Sequence, residues 1–293
     1  MKKSLGEKTF QIINLFAMTF IAAIILLPLM HIFSISISDS IAISTMKVGI
    51  FPKGFNTAAY KKIIGDAIFL RALFNSVLVT VIVTALSLLV TTMISYALSK
   101  EYFYGKKFVT YYFIITMYFS GGLIPTYLLI SRYLKLNNNY LAYILPALVN
   151  VFYIIVVRSQ IEAVPKSLVE AAYIDGAGEY QVLFKIIFPV ILPTVAAIGM
   201  FIALGSWNMW YSVLLYASKR EMWTLQYFLR AVVFEKFLSS YADGVMTIVG
   251  AENIPPQNFQ MAAIILVALP IVAIYPFVQK YFVKGILAGS VKG

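Results

Sequence analysis

Six windows of nearly unbroken apolar residues divide the chain. They lie at about Phe10–Phe33, Ala72–Leu98, Phe108–Ile130, Tyr140–Val157, Ile186–Leu204 and Met261–Phe282. A helix needs about 20 residues to cross a bilayer core, and the windows meet or approach that length. In lipid every backbone polar group must be satisfied internally, so the windows predict helices. The fourth is short and contains Pro146. The fifth opens on Pro189 and Pro193, which predict a kinked or irregular start. The first follows MKKSLGEKTF, but its apolar run is too long for a signal-peptide core and no A-x-A-like site ends it. It is therefore read as an uncleaved span.

The fold class is an all-α polytopic membrane protein with six transmembrane helices in one domain over 1–293. That domain comprises an N-terminal span at 10–33, a core at 72–283 and a tail at 284–293. Segments 34–71 and 205–260 interrupt the helices, and their mixture of aromatic, Gly, Pro and polar residues predicts folded insertions. A loop at 161–185 joins the fourth and fifth windows.

Charge sharpens this picture. Only 12% of residues are charged and 61% are hydrophobic, whereas a soluble domain carries about twice that charged share. Apart from Lys280, near the end of the sixth, the windows hold no Asp, Glu, Lys or Arg. Ion-coupled carriers bind their driving ion with intramembrane charged groups. An intramembrane hydrolase needs an acid, a base or a metal. Neither constellation is present. His31, the one histidine, sits near the end of the first window and reads as an interfacial polar residue. The chain has no cysteine, which excludes disulfides and thiolate chemistry. No G-x-x-x-x-G-K-[ST] loop occurs, and Gly105-Lys106-Lys107 is only a fragment of one. If this chain moves a solute uphill, another polypeptide supplies the energy.

The net charge of +11 is spread over nearly every loop. No basic face forms, which argues against nucleic acid. Six spans place both termini on one side. Lys and Arg number twelve on that side and eleven on the other, but the twelve are packed into shorter segments. The positive-inside rule then predicts cytoplasmic termini.

The loop at 161–185 stands out. Ser167-Leu-Val-Glu170 has the form of a capping box, with Ser167 as N-cap and Glu170 reaching back, and Pro165 just upstream suits a helix start. Gly176 and Gly178 end this helix, and a second runs from about Glu179 toward Pro189. Ala171, Ala172, Gly176, Ala177 and Gly178 make a knuckle with little bulk, around which another protein's cleft can close. The plainer reading is a well-capped helix–turn–helix with no partner.

Glu170-Ala171-Ala172, Asp175-Gly176-Ala177, Phe184, Pro189 and Pro193 resemble the EAA motif of binding-protein-dependent ABC importers. Pro165, Ser167 and Leu168 match as well. Phe51 to Phe55 with Tyr60, then Asn75-Ser76, resemble the sugar-importer permeases related to the maltose system. Phe119-Ser120-Gly121-Gly122-Leu123-Ile124-Pro125-Thr126-Tyr127 is similar to the subgroup associated with larger oligosaccharides and polysaccharide fragments. Gly205-Ser206-Trp207-Asn208, Leu225-Gln226 and Leu229-Arg230 fit that subgroup. Gln279 to Gly285 and Gly289 to Gly293 resemble the tail of the second of two paired permeases.

The resemblance implies the MetI-like fold of type I importers, with a cytoplasmic coupling helix, in the bacterial cytoplasmic (inner) membrane. It implies half of a translocation pathway, without catalytic residues and without a cofactor or metal on this chain. Its partners are a second homologous permease, two ATPase subunits that use ATP and Mg, and an extracytoplasmic solute-binding protein that delivers an oligosaccharide or polysaccharide fragment. Ser167, Glu170, Ala171, Ala172, Asp175, Gly176 and Ala177 would contact an ATPase. The tail would reach between the ATPases, or else fray near lipid head groups.

Many of the 45 aromatic residues suit interfacial belts. Trp207, Asn208, Trp210 and Tyr211 form a cluster that offers flat apolar faces and an amide to a sugar. Asn75, Tyr118 and Asn150 are candidate path-lining residues or interhelical hydrogen-bonding groups. The absence of buried charge fits a neutral glycan, although Lys219, Arg220 and Arg230 leave an acidic one open. A secondary carrier or channel is the alternative function, and ATP dependence in proteoliposomes discriminates the two. A scaffold or sensor would show no substrate-stimulated ATPase activity.

Overall fold

The structure, a computed structural model, describes residues 5–239 and 254–290, with side chains at 6–233 and 254–276. The tail expectation at 284–293 rests on side chains outside the described residues. Residues 240–253 of the second insertion also lie outside them. Every regular element among the described residues is helical. The chain forms two compact units, Met1–Phe69 with Leu229–Pro270, and Leu70–Phe228 with Ile271–Gly293.

In the first unit, α1 (Leu5–Ser36) is apolar on all sides, and almost none of it is covered by protein. Such a helix is stable only in an apolar surrounding. Its last carbonyls have no partner within the helix. Asn258, buried, donates its amide to Ile35 O at 2.8 Å and Ser36 O at 3.1 Å. The 34–71 insertion is folded, as its composition predicts. It holds α2 (Ser40–Ser44) and α3 (Ala58–Gly65). Asp39 caps α2 by accepting from Ile41 N–H, and its own N–H donates to Lys53 O. Gly54, at φ +70°, lies where a Cβ would come 2.8 Å from Asp39 Cβ, so only glycine fits. His31 Nδ1 pairs with Gly49 O at 2.9 Å.

In the second unit, α4 (Ala67–Ser99) crosses as one helix. The third window is broken. Helix α5 (Lys106–Tyr118) and the segment made of α6 (Leu123–Leu128) and the π turn Leu129–Tyr133 meet at 111°. Apolar composition predicts one span here, but Gly122 at φ +86°, ψ 173° turns the backbone into a region only glycine adopts readily. The fourth window also bends, by 47°, between α7 (Leu141–Ile144) with its 3-10 extension Leu145–Ala147 and α8 (Val151–Glu162). Pro146 starts that break. Asn150 resumes the helix by accepting from Tyr153 N–H at 3.4 Å. Ser87 of α4 donates to Leu148 O, at the break, at 3.0 Å. Irregular backbone at membrane depth needs such a partner.

After α9 (Lys166–Ile174), the fifth span runs unbroken from Glu179 to Trp207. It comprises α10 (Glu179–Gln181), a π-helical stretch at Val182–Ile187 and α11 (Phe188–Trp207). The irregularity predicted at Pro189 is this π stretch, which lies just before it. Ile191, Val195, Ile198 and Ile202 of α11 recur at helical spacing and are all buried. A Cβ on Gly199 would come 3.0 Å from Leu88 Cδ1, so α11 packs closely on α4 there. Small residues allow such approach where lipid supplies no hydrophobic drive. α12 (Tyr211–Tyr216), a turn at Arg220–Met222, α13 (Leu225–Ser239) and α14 (Pro256–Ser290) complete the order.

Candidate functional site

The loop between α8 and α11 is built from its prolines and glycines. Helix α9 begins at Lys166, and Pro165 is its N-cap at φ −55°, ψ 126°. The predicted capping box does not form, because Ser167 lies inside the first turn and no side chain caps α9. Pro165 starts the helix two residues early, since Leu168 N–H already donates to Pro165 O at 3.1 Å. Ser167 and Glu170 are left exposed.

The far end of α9 closes as a Schellman motif. Ala177 N–H donates to Ala172 O at 2.9 Å, and Gly176 N–H to Tyr173 O at 3.0 Å. Asp175 is the C-cap and Gly176, at φ +81°, takes the left-handed position. Gly178 has ordinary extended backbone and caps α10 instead, with its N–H donated to Gln181 Oε1 at 3.2 Å. Ala172 is buried and Ala177 partly so, both against the core, while Ala171, Asp175 and Gly176 face outward. The knuckle therefore has an anchored side and an open side.

Sequence reading missed what fastens this loop. Glu179 accepts from Tyr102 Oη at 2.6 Å and Tyr173 Oη at 2.8 Å, and from Tyr96 Oη. Lys100 Nζ lies 2.9 Å from Glu179 Oε2, donates to Tyr173 Oη at 2.7 Å and stands 4.1 Å above the Tyr96 ring. The Glu179 carboxylate bonded to the Tyr102 hydroxyl raises that phenol above its ordinary range. At the other end of α9, Lys166 donates to Glu101 at 2.7 Å. That bond holds the Glu101 carboxyl below its usual value and Lys166 above its own. The i, i+4 spacing of Tyr96 and Lys100 was the one local signal, because their partners lie more than seventy residues away.

The candidate path residues divide. Trp207 is buried, and its Nε1 has no hydrogen-bond partner among the described residues. Asn75 is fully buried; it donates to Glu221 O at 2.7 Å and Trp223 O at 2.8 Å, and accepts from Tyr140 Oη at 2.7 Å. Its amide is thus engaged within the fold. Asn208 is exposed and accepts from Gln226 at 3.0 Å. Trp210 and Tyr211 meet edge to face at 5.5 Å, with Tyr211 exposed. Tyr118 is exposed at the end of α5, and Asn150 is exposed as the cap of α8. From Ile115 to Leu129 every residue is exposed, the break at 119–122 included. Among the described residues, no three of His, Asp and Glu gather as a metal site would require.

This combination of broken and continuous apolar helices, with an outward knuckle between two of them, defines a polytopic transport subunit. The family model of the inner membrane component of binding-protein-dependent transport systems matches residues 68–288, and the chain belongs to that family. It is 37% identical over 273 residues to the polygalacturonan/rhamnogalacturonan transport system permease protein YtcP of Bacillus subtilis (strain 168), covering 93% of this chain and 94% of that one. It is 35% identical over 294 residues to Protein LplC of the same organism, covering 100% and 98%. Among solved structures it is similar to a chain of a bacterial ABC transporter involved in the import of the acidic polysaccharide alginate. That likeness has a TM-score of 0.84 at 28% identity and covers 96% of this chain and 99% of the other. The all-helical importer-permease fold expected from the EAA-like loop is the fold observed.

Proposed function

We infer that this chain is one of two membrane halves of an ATP-driven importer for an oligosaccharide or a fragment of a polysaccharide. The carrying observation is continuity. The exposed knuckle at Asp175–Gly176 leads, after two residues, into a single 29-residue helix that ends at Trp207. At 1.5 Å per residue such a rod is about 43 Å long, longer than the roughly 30 Å hydrocarbon core. The knuckle and the far end of the span are thus joined by one unbroken helix.

In this reading the loop faces the cytoplasm and seats in a groove of a partner ATPase. Ser167, Glu170, Ala171, Asp175 and Gly176 face the groove, while Ala172 and Ala177 hold the knuckle to the core. ATP and Mg belong to the ATPases. Closing of the ATPase dimer moves the knuckle, α11 tilts, and the cavity between the two permeases opens toward a solute-binding protein. Asn208, Trp210, Tyr211 and Tyr118 present the amide and ring faces that a glycan requires. The relatives named for galacturonan and alginate transport support a glycan cargo.

The test is uptake by proteoliposomes holding the assembled complex. Uptake is expected to require ATP. Glu170→Lys is expected to abolish it while the membrane domain keeps its unfolding temperature, and Gly176→Trp to abolish it with a lowered midpoint, because Gly176 holds a positive φ. Wild-type uptake in both variants would exclude the knuckle as the point of energy entry.

A further inference from the structure

We propose that Glu179 is the centre of a transmission joint that fastens the knuckle to the end of α4. The second span, and not only the chain neighbours α8 and α11, then follows the ATPase. This proposal rests on the reading of the knuckle as an ATPase seat.

The joint draws on three places in the chain. Tyr96 and Lys100 come from the end of α4 and the residue after it. Tyr102 comes from the short link to α5, and Tyr173 and Glu179 flank the knuckle. Four groups converge on one carboxylate: the hydroxyls of Tyr96, Tyr102 and Tyr173, and the Lys100 ammonium. Lys100 also binds Tyr173, so the ring of contacts closes on itself. Hydrogen bonds to an ionised acceptor are the strong ones, and a network reinforces its members. The Lys100 side chain is 14% exposed and that of Glu179 47%, and the Tyr96 ring beneath Lys100 adds a cation–π contact. By contrast, the Lys166–Glu101 pair that ties the other end of α9 is 79% and 82% exposed. Exposed pairs hold weakly, so the Glu179 cluster is the tie able to carry load.

Covalent connection alone would move α8 and α11 with the knuckle. With the joint, α4 moves as well, and α4 already meets α11 at Gly199–Leu88 and the fourth span at Leu148 and Ile154. The loop therefore displaces a packed group of spans as one body.

The chain has no cysteine, so cysteines placed at the exposed Ala97 and Ile174 label this subunit at two chosen points. Spin labels there, in the complex with its partner permease and ATPases, report the distance from α4 to the knuckle. In the unsubstituted joint that distance is expected to stay constant, within about 2 Å, between the nucleotide-free state and the ATP–vanadate-trapped state. In Glu179→Gln, and in Lys100→Met should the first fail to assemble, the distance is expected to change between states by more than that. A distance that varies in the unsubstituted complex, or stays fixed in both variants, overturns the joint. Capture of the ATPases by Gly176→Trp would instead sink the seat, and so separates failure of that reading from failure of the joint.

Discussion

Residue by residue, burial decides which polar side chains hold the fold and which are free to act. Asn75 makes three hydrogen bonds and has no exposed surface. Asn75→Ala leaves two carbonyls and the Tyr140 hydroxyl without a partner, at about 1–3 kcal/mol. A lowered thermal midpoint of the detergent-purified chain is the expected reading. Asn208→Ala, at an exposed amide, is expected to leave the midpoint unchanged and to reduce uptake. The Glu101–Lys166 pair predicts little. Its carboxyl is shifted down, so its contribution is present above the ordinary carboxylate value and is lost as pH falls through the lower, folded one. Lys166 is shifted up, so its contribution is lost only as pH rises through its raised value. From about pH 5 to 10 the pair is constant, and Glu101→Gln is expected to leave the melting curve unaltered.

At the level of the element, glycine positions make the sharpest forecasts. Gly122→Ala forces a side chain into a backbone region that costs about 1–3 kcal/mol. The break between α5 and α6 is then expected to relax, with loss of uptake and altered protease sensitivity of 115–129. Gly199→Val, placed against Leu88, overpacks the α4–α11 contact at a cost of about 1–3 kcal/mol, read as a lowered midpoint. The apolar pattern made the spans legible because length and hydropathy alone specify a membrane helix. The 111° break was not legible in the same way, since hydropathy is blind to φ and the Gly121-Gly122 pair sits inside an apolar run. Ser167 misled because a capping-box spacing says nothing of an upstream proline able to start the helix itself. Trp207 is buried within the chain, and an aromatic at a span end looks the same in sequence whether it is buried or exposed. Tyr96 and Tyr102 are joined to Tyr173 and Glu179 only by folding, so no spacing in the chain announces that junction.

For the whole molecule, the proposed function turns on the relation between the exposed knuckle and the 29-residue helix that follows it. The EAA-like motif was readable because its small residues stand in order as one string. The candidate path was less readable, because isolated amides and rings on several elements leave no string in the sequence. Uptake assays with neutral and acidic oligosaccharides, using one complex, are expected to show a preference set jointly by both permeases. Exchanging only this chain for a relative is then expected to shift that preference in part.

The outward-facing stretch from Ile115 to Leu129 has a further consequence, for the economy of the cell. A copy inserted without its companion subunit would present a bent, glycine-containing backbone to fatty-acyl chains that offer it no hydrogen bond. Membrane quality control recognises defects of this kind. Orphan copies are expected to be short-lived, and pulse-chase labelling should find a half-life that lengthens when the second permease is co-expressed. The same kink would then also favour equal numbers of the two proposed halves.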